Sequence, residues 1–291
     1  MVTVRAPATS ANLGSGFDVF GVALDRPADV VTVERADRTT IDVRGVGSEY
    51  IPADPTKNTA GVVADALDAP AHITIDKGVR PSSGLGSSAA SAAAAAVALD
   101  ALYDRRLGDH ELVRVAAEGE AAVSGTAHAD NVAPAILGGF TVVRDDGVES
   151  VDATVPLVAV LPDIVVSTRD ARRVVPDSLS MDDHVATVAS AATLTVGMHR
   201  DDPALVGRGL SEAVVTPARA ALIDGYDDAV AAAEGAGATG VTVSGAGPAV
   251  LAVTHHGAQR EVASAMIDAF EDAGVDARAY TSAIGAGATI H

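Results

Sequence analysis

The chain contains no cysteine and no tryptophan, two lysines (Lys57 and Lys77), four phenylalanines and four tyrosines. The absence of cysteine excludes disulfides, thiolate metal centres and cysteine nucleophiles together. No apolar run reaches the roughly 18 residues of a membrane span. The opening MVTVRAPATS lacks the basic-then-apolar order of a secretory signal. A soluble, cytoplasmic protein with no membrane partner is therefore expected. Positive charge is scarce as well: the formal net charge is −19, with a pI near 4.6. Nothing here would neutralise a row of phosphates, which argues against a nucleic-acid partner. The acids are spread along the chain and do not form an acidic tail. Acid-rich, lysine-poor and aromatic-poor composition fits a protein living in concentrated salt, where screening makes dense surface charge tolerable.

What is present suits a globular protein. The 291 residues, 48% of them hydrophobic, are enough for one large or two modest domains. Alternating apolar residues predict strands at 2–6, 30–35, 41–43, 73–76, 140–144, 157–161, 240–244, 249–254 and 277–281. Helical spacing predicts helices at 60–67, from 87 or 88 onward, at 109–123 with Asp109 as N-cap, and at 182–199, 203–212, 226–236 and 258–273. The reading is α+β in two halves, residues 1–154 and 155–291. The β-α-β-β-α-β order of the last hundred residues suits a ferredoxin-like half.

The stretch RPSSGLGSSAASAAAAAVALDALY, 80–103, sets glycines and serines directly ahead of an alanine-rich helix. It is neither a Walker A loop, since no lysine follows a glycine in this chain, nor a Rossmann fingerprint, since the third glycine is missing. No Gly-x-Ser-x-Gly elbow exists, and Ser87 has no evident histidine partner, which disfavours a hydrolase. Two readings of the stretch stand. Ser87 or Ser88 caps the helix while Gly84 turns the chain, or the loop cradles an anion. The glycines would let backbone approach a ligand, and the amides of residues 86–89 would point at it where the helix dipole is positive. The alanines that follow would let the helix approach its neighbours closely and carry its N-terminus into the interior, an alanine-rich surface helix being the alternative.

The same stretch resembles the Pro-x-x-x-Gly-Leu-Gly-Ser-Ser-Ala phosphate motif of the GHMP kinase superfamily. APATSANLGSGFDVFGVAL, 6–24, is similar to that superfamily's N-terminal substrate motif, and TVSGAGPAVLAV, 242–253, to its third, glycine-rich motif. The three occur in the expected order. The resemblance implies a two-domain fold with a ribosomal S5 domain 2-like N-terminal half and a ferredoxin-like C-terminal half, and with ATP and Mg²⁺ as cofactors. SANLGSGFD, with GTAHADNVAPAILGGF (125–140) and STRDARRVVP (167–176), is similar to the branch that phosphorylates L-homoserine. The resemblance also implies a homodimer.

The resemblance carries roles with it. Ser88 and Glu120 are implied to hold Mg²⁺, which wants oxygen ligands and phosphate. Glu118 lies about 200° around the helix from Glu120 and is expected in water. Pro81, Ser82, Ser83, Gly84, Leu85, Gly86, Ser87 and Ser88 are implied to hold the triphosphate. Asn58 is implied to help position the nucleotide, or else simply caps the following helix. Arg172 and Arg219 are implied to fork onto the substrate carboxylate, a surface ion pair being the alternative for either. Asp18 is implied to take the substrate ammonium, and Asn12 and His128 to lie near its hydroxyl or carboxylate. Gly245 and Gly247 would close the far wall with backbone amides, or merely turn the chain.

One position departs from the pattern. Related kinases with a catalytic aspartate carry it eleven residues after the metal glutamate, and here that residue is Asn131, which cannot accept a proton as a base. Asp130 is one residue out of register. Transfer by alignment and charge neutralisation, with no dedicated base, is the expectation. Mevalonate, shikimate or a sugar would be rival acceptors, but none has an ammonium to engage Asp18. A non-catalytic ligand sensor would not need both metal ligands.

Overall fold

The computed structural model describes residues 1–125, 127 and 129–291, Ser124 by its backbone alone. The first half comprises β1 (Val2–Ala11), β2 (Phe20–Arg35), β3 (Thr40–Gly45), α1 (Thr59–Ala66), β4 (Ala71–Lys77), α2 (Ser87–Tyr103), α3 (Asp109–Ser124), α4 (Ala129–Leu137), β5 (Phe140–Arg144) and β6 (Gly147–Val151). The second comprises β7 (Pro156–Pro162), α5 (Thr168–Arg173), α6 (Met181–His199), α7 (Pro203–Gly209), α8 (Val215–Ala220), α9 (Tyr226–Gly235), β8 (Ala238–Val243), β9 (Val250–Thr254), α10 (Gln259–Asp272), β10 (Ala277–Ala283) and β11 (Thr289–Ile290). Cap chemistry sets several helix starts: Asn58, Ser167, Ser180 and Asp202 each accept an amide with the side chain. The expected Asp109 cap is corrected. Gly108 is the N-cap, and the Glu111 carboxylate reaches back to its amide.

β11-β1-β2-β4-β3 form one sheet, extended by β5 on β2 and by β6 on β5. β3 runs parallel to β4. The second sheet, β10-β7-β9-β8, is antiparallel, and the strand order within β-α-β-β-α-β connectivity is ferredoxin-like. β7 is an unbroken apolar run because both of its faces are buried. Leu157, Ala159 and Leu161 join a core shared with Ala8, Phe20, Val22 and Phe140 of the first sheet. Val158 and Val160 join a second core under α9 and α10. This period-2 division places one strand between two cores and couples the halves.

α2 is buried almost all round, residues 89–96 included, and it packs with Val4, Ala6, Val31, Ile73 and Ile75. Alanine is what makes that burial possible. A helix clad in methyl groups lets β1, β2, α1, α3 and α4 surround it closely, so its N-terminus opens inside the protein. After β10 the chain returns to the first half. Gly285 bonds with Ala23, Gly139 with Gly285, Ala288 with Ile136, and β11 pairs Val4 with Ile290.

Candidate active site

Neither serine of the glycine-serine loop caps the helix that follows. The N-cap of α2 is Gly86, left-handed at φ 63°, with no side-chain cap. Ser87 instead donates to the Val79 carbonyl at 2.8 Å, and Ser88 donates to Glu120 at 3.1 Å. The first intrahelical bond runs from the Ala90 amide to the Gly86 carbonyl, so the amides of residues 87–89 precede the helical ladder. Glycine is required at both turns of the loop. A Cβ on Gly86 would stand 1.9 Å from Thr9 Oγ1, and one on Gly84 (φ 79°) would stand 2.7 Å from the carbonyls of Ser244 and Gly247.

A cavity of about 810 Å³ opens over this loop. Of the residues implied by the motifs, Asn12, Asp18, Asn58, Pro81, Ser82, Ser83, Gly84, Gly86, Ser87, Ser88, Glu120, Asn131, Arg172, Arg219, Gly245 and Gly247 all line it. His128 lies outside the described residues. Leu85 departs from expectation: it is buried in the core shared by the two halves, its amide bound to Ser83 Oγ and its carbonyl to the Thr9 amide. An isobutyl group gains more from that core than from a polar cleft. Gly245 and Gly247 form wall, but their amides are used inside the fold, on the carbonyls of Ala11 and Ser244. Asn58 does what its alternative reading said. Its Oδ1 caps α1 at Ala60 and its Nδ2 donates to Pro52.

The floor beneath the loop is ionic. Lys77 reaches the Ser87 carbonyl at 2.7 Å and Ser91 Oγ at 2.9 Å, and it pairs with Asp29, whose other oxygen accepts the Gly78 and Val79 amides at 3.0 Å each. Lys77 and Asp29 are both fully buried, and burial pushes the ammonium down while Asp29 opposes the shift. Beside this pair, burial pushes the Glu120 carboxyl up to about 7, the Ser88 hydrogen bond and the Lys77 ammonium pulling the other way. Glu118 faces water and pairs with Arg114 at 2.6 Å.

The other end of the cavity carries charged side chains of both signs. Asn12 and Asp18 both adopt left-handed backbone, at φ 70° and 58°, and the Asn12 amide oxygen accepts the Asp18 N–H at 2.9 Å. Asp18 then meets Arg172 Nη1 at 2.6 and 2.9 Å. Arg219 is buried, held by the Gly245 carbonyl at 2.6 Å and the Ala171 carbonyl at 3.3 Å. Asp130 also lines this end. Burial, then the Asp18 carboxylate, lifts its carboxyl to about 6. Asn131 Oδ1 accepts a hydrogen bond from Thr9 at 2.8 Å.

Two groups therefore meet in one cleft, the Ser88–Glu120 pair beside the opening of α2 and a guanidinium pair with a carboxylate. Residues 56–139 match the N-terminal domain of the GHMP kinases, and residues 194–272 match their C-terminal domain. Homoserine kinases of Haloquadratum walsbyi and Natronomonas pharaonis are 72% and 69% identical over 290 residues, covering all of both chains. The chain belongs to the homoserine kinase family of GHMP kinases. The crystal structure of the homoserine kinase from Cytophaga hutchinsonii, 34% identical, superposes with a TM-score of 0.89 over 100% of this chain and 97% of that one.

Some residues at the cavity lie outside the motifs. Lys77 has a signal, as one of two lysines and the one just ahead of the loop, yet nothing local marks Asp29 as its partner. Arg169 and Arg173 line the cavity as well, and only the fold brings α5 there.

Proposed function

We propose that the protein transfers the γ-phosphoryl group of ATP to the side-chain hydroxyl of L-homoserine. The observation that carries this reading is the placement of the Ser88–Glu120 pair and the Asp18–Arg172–Arg219 group in a single cavity. The amides that open α2 would bind the triphosphate, Asp18 the ammonium, and Arg172 with Arg219 the carboxylate. The hydroxyl oxygen bonds to phosphorus as the bond to ADP breaks, and the hydroxyl proton leaves to solvent. Asn12 and Asn131 border the reacting end. With the Asn131 oxygen bound to Thr9, alignment without a dedicated base is the mechanism supported best.

The residues suit Mg²⁺. One hydroxyl and one buried carboxylate are oxygen donors only, and magnesium commonly takes one or two protein oxygens with substrate phosphates supplying the rest. Ser88 and Glu120 would hold it, and a bound Mg²⁺ supplies charge neutralisation at the phosphates. The high Glu120 pKa is the cost of burying that carboxylate, which a cation would offset.

A cytoplasmic setting at high salt belongs to the same reading. The net charge of −19 supports the salt requirement, and none of the described helices is long and apolar enough to cross a membrane. A homodimer is supported by Met181, Val185, Val188 and Val196, exposed at helical spacing on α6. Sedimentation equilibrium in molar KCl tests that.

ADP release with Mg·ATP in molar KCl, comparing L-homoserine with mevalonate, shikimate and galactose, tests the activity. Turnover with homoserine alone is expected. Turnover with another acceptor would keep the kinase and overturn the acceptor site.

A further inference from the structure

Phe17 stands beside both arginines at the acceptor end. Its ring centroid is 5.1 Å from the Arg172 guanidinium carbon and 5.0 Å from that of Arg219. The ring comes from the turn between β1 and β2, the guanidiniums from α5 and α8, so three separate segments converge there. Bringing two cations together is unfavourable: after burial, the Arg172 charge is among the causes that lower the Arg219 pKa, opposed by Asp18, Asp130 and Glu212.

The contacts around these arginines differ in what they consume. Asp18 occupies Nη1 of Arg172, and backbone carbonyls occupy Nε and Nη1 of Arg219. Each uses N–H donors, and Asp18 also cancels charge. An aromatic face attracts a guanidinium through its quadrupole and leaves the N–H edges available. It also adds no negative charge to compete with an incoming carboxylate. Phe17 is half-buried, and the two guanidiniums it touches line the cavity.

We propose that Phe17 is a positioning residue for the acceptor's carboxylate, its ring holding Arg172 and Arg219 together so that both present N–H donors to one anion. The proposal rests on the reading of this end as the site for an amino-acid acceptor. It makes the ring a determinant of specificity for acceptors that carry a carboxylate, and it leaves the nucleotide end untouched.

The test is initial-rate kinetics on the full-length protein, with L-homoserine as acceptor and 3-aminopropan-1-ol as competitor. The competitor keeps the hydroxyl and the ammonium and lacks the carboxylate. In Phe17→Leu the KM for homoserine is expected to rise about tenfold, with the KM for ATP and the Ki of the competitor unchanged within about twofold. Phe17→Tyr, which keeps the ring face, is expected to stay within about threefold of the wild type. Pentafluorophenylalanine at position 17 keeps the shape and reverses the quadrupole. It is expected to behave as Phe17→Leu does, and it serves if the leucine variant does not fold. Equal weakening of homoserine and competitor in the leucine or fluorinated variant would overturn the proposal, as would a tyrosine variant as impaired as the leucine one. A different failure is visible in the wild type alone. A Ki for 3-aminopropan-1-ol equal to the KM for homoserine would overturn the carboxylate site itself, and the proposal with it.

Discussion

Ser88 donates a 3.1 Å hydrogen bond to Glu120, tying the first turn of α2 to the last turns of α3. The two residues are 32 positions apart, and the buried alanine helix is what brings them together. Glu120→Gln keeps the shape and removes the charge. Turnover is expected to fall at least about a hundredfold at saturating Mg²⁺, with Ser88→Ala less damaging. Rates titrated against Mg²⁺, alongside ADP affinity in EDTA, separate metal binding from collapse of the loop. ADP affinity without metal should survive in both variants.

The same carboxyl makes stability depend on pH. Its pKa is about 7 in the folded protein against 4.5 unperturbed, so between those values the folded state holds a proton that the unfolded chain has released. Its contribution is fully present below pH 4.5 and is lost as pH rises to about 7. Asp130 acts in the same direction between 3.8 and about 6. Thermal unfolding in EDTA and constant KCl should show the metal-free protein losing stability across this range. Glu120→Gln should flatten the profile and melt above the wild type at pH 8.

Lys77 and Asp29 form a buried pair that also fixes the Gly78 and Val79 amides and the Ser87 carbonyl. Lys77→Met leaves a carboxylate in the interior without its cation and is expected to cost about 3–5 kcal/mol. Adding Asp29→Asn should recover part of that loss. Urea unfolding of the wild type, both single variants and the double variant measures the coupling.

Asp130 lines the acceptor end next to the asparagine that occupies the expected base position. With transfer driven by alignment, Asp130→Asn should reduce kcat less than about tenfold. A drop of several orders of magnitude, with homoserine affinity and fold unchanged, would make Asp130 the base. A kcat profile against pH distinguishes the two, since a base would lose its limb near pH 6 in the variant.

Much of this was legible in the sequence because motif residues keep local chemistry. SANLGSGFD needs left-handed backbone at Asn12 and Asp18, and residue types that tolerate it stand at both positions. The glycines at 84 and 86 answer to close contacts, which sequence can express only as glycine. Short helices were harder to read. α5 and α8 have six residues each, too few for a periodic signal, and they are fixed by what Arg172 and Arg219 reach. The spacing predicts only residues 30–35 of β2, because the segment containing Pro27 and Asp29 breaks the alternation, although Asp29 is there to hold Lys77. Leu85 shows the converse, a motif residue whose role is in the core.

The return of residues 284–291 to the first sheet bears on how the protein is made. β1 leaves the ribosome well before its outer neighbour, Thr289–Ile290. The edge of β1 therefore stays uncovered until that distant segment has been made. The His291 amide, which donates to the Thr3 carbonyl, closes the same seam.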